Sequence, residues 1–158
     1  KEAGVQGFTE PDPKIDLSGV DVARKILILI RESGYEMEME HIENNCFLPK
    51  ECMETTNNED FFKSLTKHSS HFENLLAEAK SKDSRLKFVA SFDNGKASVG
   101  LQFIPKESPF YNLEGKDNIV EFYTDRYIDQ PLIIKGAGAG AAVTASGIFA
   151  DVVRIGNV

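Results

Sequence analysis

The stretch RLKFVASFDNGKASVGLQF, residues 85–103, puts Leu86, Phe88, Ala90 and Phe92 on one face and, past an Asn-Gly pair, Ala97, Val99, Leu101 and Phe103 on one face. Alternation with period two is the pattern of a half-buried strand, and Asn-Gly supplies the two left-handed residues of a tight hairpin. A ribbon with one apolar face cannot stay uncovered, so the rest of the chain must supply helices to lie on it. This predicts an α+β fold, a mixed β-sheet with helices covering one face.

Helical patterns are present upstream. Residues 18–33 read as a helix that Ser18 caps, with Asp21 completing a capping box and Gly34 placed for a left-handed end. Val22, Ala23 and the run Ile26 to Ile30 surround more than one face, so this helix is expected to pack on several sides. After the alternating YEMEMEHI, a strand is expected near residues 45–48. EDFFKSL then spaces Phe61, Phe62 and Leu65 for a short helix, and Ser70 with Glu73 forms a capping box for a second, with Phe72, Leu75, Leu76 and Ala79 inward. Further strands are expected at 118–124 and 131–135, and the glycine-rich segment after the last one leads into a helix.

Charge and composition exclude several classes. A net charge of −7, with 18 Lys and Arg dispersed among 25 acids, argues against nucleic acid and anionic membranes as partners. No stretch reaches the apolar length of a membrane span, and no basic region precedes an apolar signal core. Two cysteines, Cys46 and Cys52, are too few for a disulfide framework. The expected compartment is the cytoplasm. KEAGVQG has no initiating Met and reads as the last turn of a helix, so the sequence is expected to be a piece of something longer.

Two features could carry chemistry. In TEPDP, Pro11 and Pro13 disfavour helix before them and predict a stiff, extended loop carrying Glu10, Asp12 and Asp16 toward a helix start. Asp21 and Lys25 lie four apart on that helix. One reading is structural, a capping box and an ordinary helical ion pair. The other is functional: Lys25 beside KILILI, partly removed from water, would serve proton transfer, and the acids would seek a substrate amino group. The second feature, GAGAGA at residues 136–141, satisfies G-x-G-x-x-A but lacks the following strand and acid of a dinucleotide fingerprint. Either way, some other group must approach the backbone there. His41, His68, His71 and the two cysteines lack metal-ligand spacing, so no metal site is expected. No Ser-His-Asp or Cys-His catalytic set is expected either.

Two blocks resemble homoserine dehydrogenases. GFTEPDPKIDLSGVDVARK is similar to that family's signature G-x-x-E-P-D-P-x-x-D-x-x-G-x-D-x-A-x-K over nineteen positions. QPLIIKGAGAGAAVTASGIFADVVR resembles the family's carboxyl-terminal block, and DNIVEFY its ENALAFY-like segment, as in the enzymes fused behind an aspartate kinase. The resemblance implies NAD(P)-dependent interconversion of L-homoserine and L-aspartate 4-semialdehyde, in threonine, methionine and isoleucine biosynthesis. It assigns Glu10 and Asp16 to the substrate amino group, Asp21 to orientation and catalysis, and Lys25 to the proton on the substrate oxygen. Gly138 and Gly140 match the cofactor-adjacent turn, NADP or NAD being held mainly by a nucleotide-binding domain.

On this resemblance residues 1–135 form a substrate-binding and dimerisation domain. Residues 136–158 form a glycine-rich turn and a carboxyl-terminal helix that belongs with, and returns to, a missing Rossmann domain. A homodimer through the sheet is implied, and this chain alone is expected to be inactive. The alternative is a non-catalytic assembly module whose acidic loop merely caps a helix.

Overall fold

The computed structural model describes residues 11–115, 117–138 and 140–157. The chain forms two compact units, Thr9–Tyr111 and, within the remainder, Asn112–Val158. The sequence boundary at residue 135 differs from this division: the strand that carries PLIIK runs on to Ala137 in the second unit.

In the first unit, α1 (Pro13–Leu17) is a short helix where an extended loop was expected. Pro13 sits in its first turn, where a missing N–H costs nothing and the ring presets φ. Asp12 caps it, its carboxylate accepting from the Lys14 N–H at 3.0 Å. The prolines therefore start a helix. Gly19, at φ +86°, ends the first turns and begins α2 (Val20–Glu32). Ser18 is consequently the C-terminal cap of α1, and the expected capping box with Asp21 does not form. Gly34 takes φ +88° beyond the end of α2, as its position predicts.

Helix α2 buries Ala23, Leu27 and Ile30, one stripe at helical spacing, and leaves Ile28 exposed. It packs on one side, against the sheet, where the dense apolar run had suggested several. A 3₁₀ turn (Met39–His41) leads to β1 (Ile42–Asn45), a few residues before the strand expected there. Two helices follow the one-turn α3 (Lys50–Met53): α4 (Asn58–Lys67), capped by Asn57, and α5 (Ser69–Ser81). The expected box at Ser70 and Glu73 is absent, because α5 starts straight from His68 with no side-chain cap.

The hairpin is as the alternation requires. β2 (Ser84–Asp93) and β3 (Lys96–Pro105) pair antiparallel, with Phe88 opposite Leu101 and Ala90 opposite Val99. Asn94 and Gly95 both take positive φ in the turn. β1 adds in parallel along β3, so the sheet is mixed, in the order β1-β3-β2. Its apolar face meets α2 in a core of Ala23, Leu27, Ile30, Met37, Ile42, Ala97 and Val99, flanked by Phe88, Ala90 and Phe92. A second cluster, Leu48, Cys52 and Phe61, is joined by Leu17, Phe47 and Phe72 and ties α1 to the helical pair.

In the second unit, β4 (Asp117–Thr124) and β5 (Tyr127–Ala137) form an antiparallel pair, followed by α6 (Ala141–Gly156). No described residue of α6 is buried. Among the described residues, no helix is long and apolar enough to cross a membrane.

Candidate functional site

The α1–α2 corner sets the site. Its N-terminal cap is a glycine, so no side chain caps α2, and the corner is held from outside. The Asn44 amide on β1 donates to the Ser18 carbonyl at 2.9 Å. A Cβ on Gly19 would lie 2.5 Å from the Phe88 ring and 3.1 Å from Asn44 Oδ1. Glycine is thus required twice, for its left-handed φ and for this close approach. Ser18 is buried at the same corner. Lys14 fastens α1 by donating to the Thr55 carbonyl at 2.6 Å, and the Pro11 carbonyl accepts from Asn58 at 3.0 Å.

From this corner the acidic groups project. Asp16 lies on α1, partly buried, rather than in a loop. Asp21 stands in the first turn of α2, where the helix dipole favours a carboxylate. Its Oδ2 is 2.8 Å from Lys25 Nζ, one turn on. Lys25 is 55% exposed, which corrects the expectation that KILILI would withdraw it from water. The reason is the stripe: Ala23 and Leu27 face the sheet, and the residues between them at 24 and 25 point outward. A solvated ammonium held by a carboxylate can exchange a proton with a substrate oxygen, and a carboxylate can bind a substrate ammonium. Glu10, the other acid assigned to the substrate, lies outside the described residues.

The glycine turn is in the second unit. Gly138 follows β5, and a Cβ there would overlap the side-chain amide of Asn118 on β4. This meets the expectation that something approaches the backbone at the glycine run. Gly140, at φ +126°, opens α6 with no side-chain cap.

The chain's other polar cluster is different in kind. Cys52 is fully buried, accepts from Ser64 Oγ at 3.3 Å, and has its Sγ 3.8 Å from His68 Nδ1. That nitrogen also lies 2.9 Å from the Ser64 carbonyl, which can only accept, so it carries its hydrogen and is not a base for the thiol. Cys52 packs as a small apolar residue. An open groove beside it is lined by Glu51, Asp60, Lys63 and Lys67, and by none of Asp16, Asp21 or Lys25. Among the described residues no three His, Cys, Asp or Glu side chains gather as a metal site would require.

Sequence reasoning missed Asn44 and Phe88 as the clamp on the corner. The glycine between Asp16-Leu17-Ser18 and Val20-Asp21 was the available signal, since an uncapped glycine inside a helical pattern marks a break.

The homoserine dehydrogenase family profile matches residues 1–153. The chain belongs to the homoserine dehydrogenase family, a family of oxidoreductases in amino-acid biosynthesis. It is 42% identical over 158 residues to the chloroplastic bifunctional aspartokinase/homoserine dehydrogenase 2 of Arabidopsis thaliana, covering 99% of this chain and 17% of that protein. It is 41% identical over 152 residues to the homoserine dehydrogenase of Paracoccidioides brasiliensis, covering 94% of this chain and 41% of that protein. The chain spans less than half the length of either relative. A Candida auris crystal structure described as a protein of unknown function superposes with a TM-score of 0.84 at 36% identity, over 96% of this chain and 43% of that one.

Proposed function

We propose that this chain is the substrate-binding and catalytic region of a homoserine dehydrogenase, interconverting L-homoserine and L-aspartate 4-semialdehyde with NADP or NAD. The observation that carries the reading is the Lys25–Asp21 pair at 2.8 Å, outward on a helix whose start is clamped by Gly19, Asn44 and Phe88. In the reductive direction negative charge develops on the aldehyde oxygen. Lys25 stabilises it and gives up a proton there, and in the oxidative direction Lys25 accepts that proton. Asp21 holds the ammonium in place. Asp16, with Glu10, is assigned to the substrate's α-ammonium.

Gly138 and Gly140 are assigned to the cofactor side. One feature of the residues fits such a group: α6 begins with N–H groups that no side chain caps. When bound, NAD(P)H supplies the hydride. Residues 136–158 are taken to belong with the nucleotide-binding domain of the whole enzyme, and residues 1–135 with substrate binding and dimerisation. The exposed apolar residues of β5 support a homodimer through that sheet, among them Ile128, Leu132 and Ile134. Two free cysteines fit a reducing compartment, the cytoplasm in this reading. The chain by itself is expected to show no dehydrogenase activity.

The test is Lys25→Ala in the full-length enzyme. Turnover should fall by roughly 10²- to 10⁴-fold, the range for loss of a general acid–base group. The melting temperature should barely move, since a solvated helical ion pair contributes only about 0.3–0.5 kcal/mol. Wild-type turnover would remove the catalytic role. It would favour the second reading, an assembly module, for which the outward apolar side chains of α6 also speak.

A further inference from the structure

Gly138 is not among the glycines with positive φ, so its backbone alone would accept an alanine. What excludes a side chain there is Asn118. A Cβ at residue 138 would overlap Asn118 Cγ and Nδ2, and would lie 2.9 Å from Oδ1, so the whole carboxamide fills that space. Two residues earlier, Gly136 is directly paired with Asn118 across the ladder yet has open space around it. The Asn118 side chain therefore leans along the strand toward the turn, past its own ladder partner. β5 ends at Ala137 and α6 begins at Ala141, so the carboxamide meets the chain just as it leaves the sheet.

We propose that Asn118 is a positioning residue for the cofactor-side turn: its carboxamide, filling the space that Gly138 leaves, sets the path of the backbone into α6. The inference rests on the assignment of Gly138 and Gly140 to the cofactor. Gly138 and Asn118 then act as one unit. Removing the carboxamide frees the turn, and adding a methyl at Gly138 displaces the carboxamide, so either change loosens the same contact.

The test is NADPH binding to the full-length enzyme, followed by nucleotide fluorescence, for Asn118→Ala, Gly138→Ala and the double variant. Asn118→Ala should weaken binding about ten-fold, the fold-change of a coupling of ordinary size. In turnover, KM for the nucleotide should rise with kcat largely kept, a split that general destabilisation would not give. The double variant should bind no more weakly than the worse single variant. Wild-type affinity in Asn118→Ala, or additive losses in the double variant, would overturn the proposal. Should the Asn118→Ala protein fail to fold, Asn118→Ser keeps a small polar group, and the same affinity comparison decides. A wild-type enzyme that binds no NADPH or NADH would instead overturn the cofactor assignment.

Discussion

Between Thr9 and Tyr111 the apolar side chains close on one another, whereas between Asn112 and Val158 they face outward. Every fully buried apolar side chain among the described residues lies in the first region, from Ala23 to Ile104. Apart from Ile28, Tyr35 and Leu76, every exposed large apolar residue among those described lies in the second, including Ile148, Phe149 and Ile155 on α6. The cause is geometric. Three strands and a helix can enclose Val99 and Ile30 between them, but one hairpin and one helix have too little surface to enclose anything. The first region can thus hold a site rigid by itself, and the second leaves its large apolar side chains exposed.

The sharpest way to break this contrast is to remove one ring from each region. Phe61→Ala should cost about 3–5 kcal/mol in denaturant unfolding, as a fully buried ring does. Phe149→Ala, removing a ring that is 69% exposed, should cost less than about 0.5 kcal/mol in this chain. Equal losses would mean that the second region has a core of its own.

A smaller effect tests how the first region holds the site. Gly19→Ala meets both the left-handed penalty, about 1–2 kcal/mol, and overpacking against Phe88, about 1–3 kcal/mol. Gly34→Ala, at nearly the same φ but with nothing near its missing Cβ, should show only the first. Identical losses in equilibrium unfolding would deny that Phe88 and Asn44 clamp the corner.

The smallest effect is electrostatic and compares one group from each region. Lys106 is held above the ordinary lysine value, first by its hydrogen bond to Asp83 and then by that carboxylate's charge. Tyr123 is raised as well, first by partial desolvation and then by Glu121, whose Oε2 accepts from its hydroxyl at 3.3 Å. Both groups bind their proton more tightly when folded. Their contribution is therefore complete below the unfolded values, 10.5 and 10.0, and is lost as pH rises through the folded ones. NMR titration should find that Asp83→Asn removes the larger part of the Lys106 shift, while Glu121→Gln leaves the larger cause of the Tyr123 shift, desolvation, in place.

Much of the fold was legible because its signals are local. Alternation around Asn94-Gly95 fixed the hairpin, and Gly34 fixed the end of α2. The starts of helices were less legible. Ser18 and Ser70 both read as N-terminal caps, yet neither caps a helix start, since Ser18 ends a short helix ahead of Gly19 and α5 starts uncapped at His68. Of the candidate site, Asp16, Asp21 and Lys25 are assigned from spacing and resemblance. The burial assumed for Lys25 is not found, because a run of apolar residues does not say which of its faces will meet the sheet.

The sequence by itself determined the family, the strand alternation and the four-residue interval that brings Asp21 to Lys25, since each depends on neighbours along the chain. Only the tertiary structure decided that Asn44 and Phe88, distant in sequence, lock the corner at Gly19, and that Asn118 fills the space beside Gly138. A missing side chain leaves no mark in a sequence beyond the letter G, and what occupies the space it leaves is settled by elements that meet only on folding.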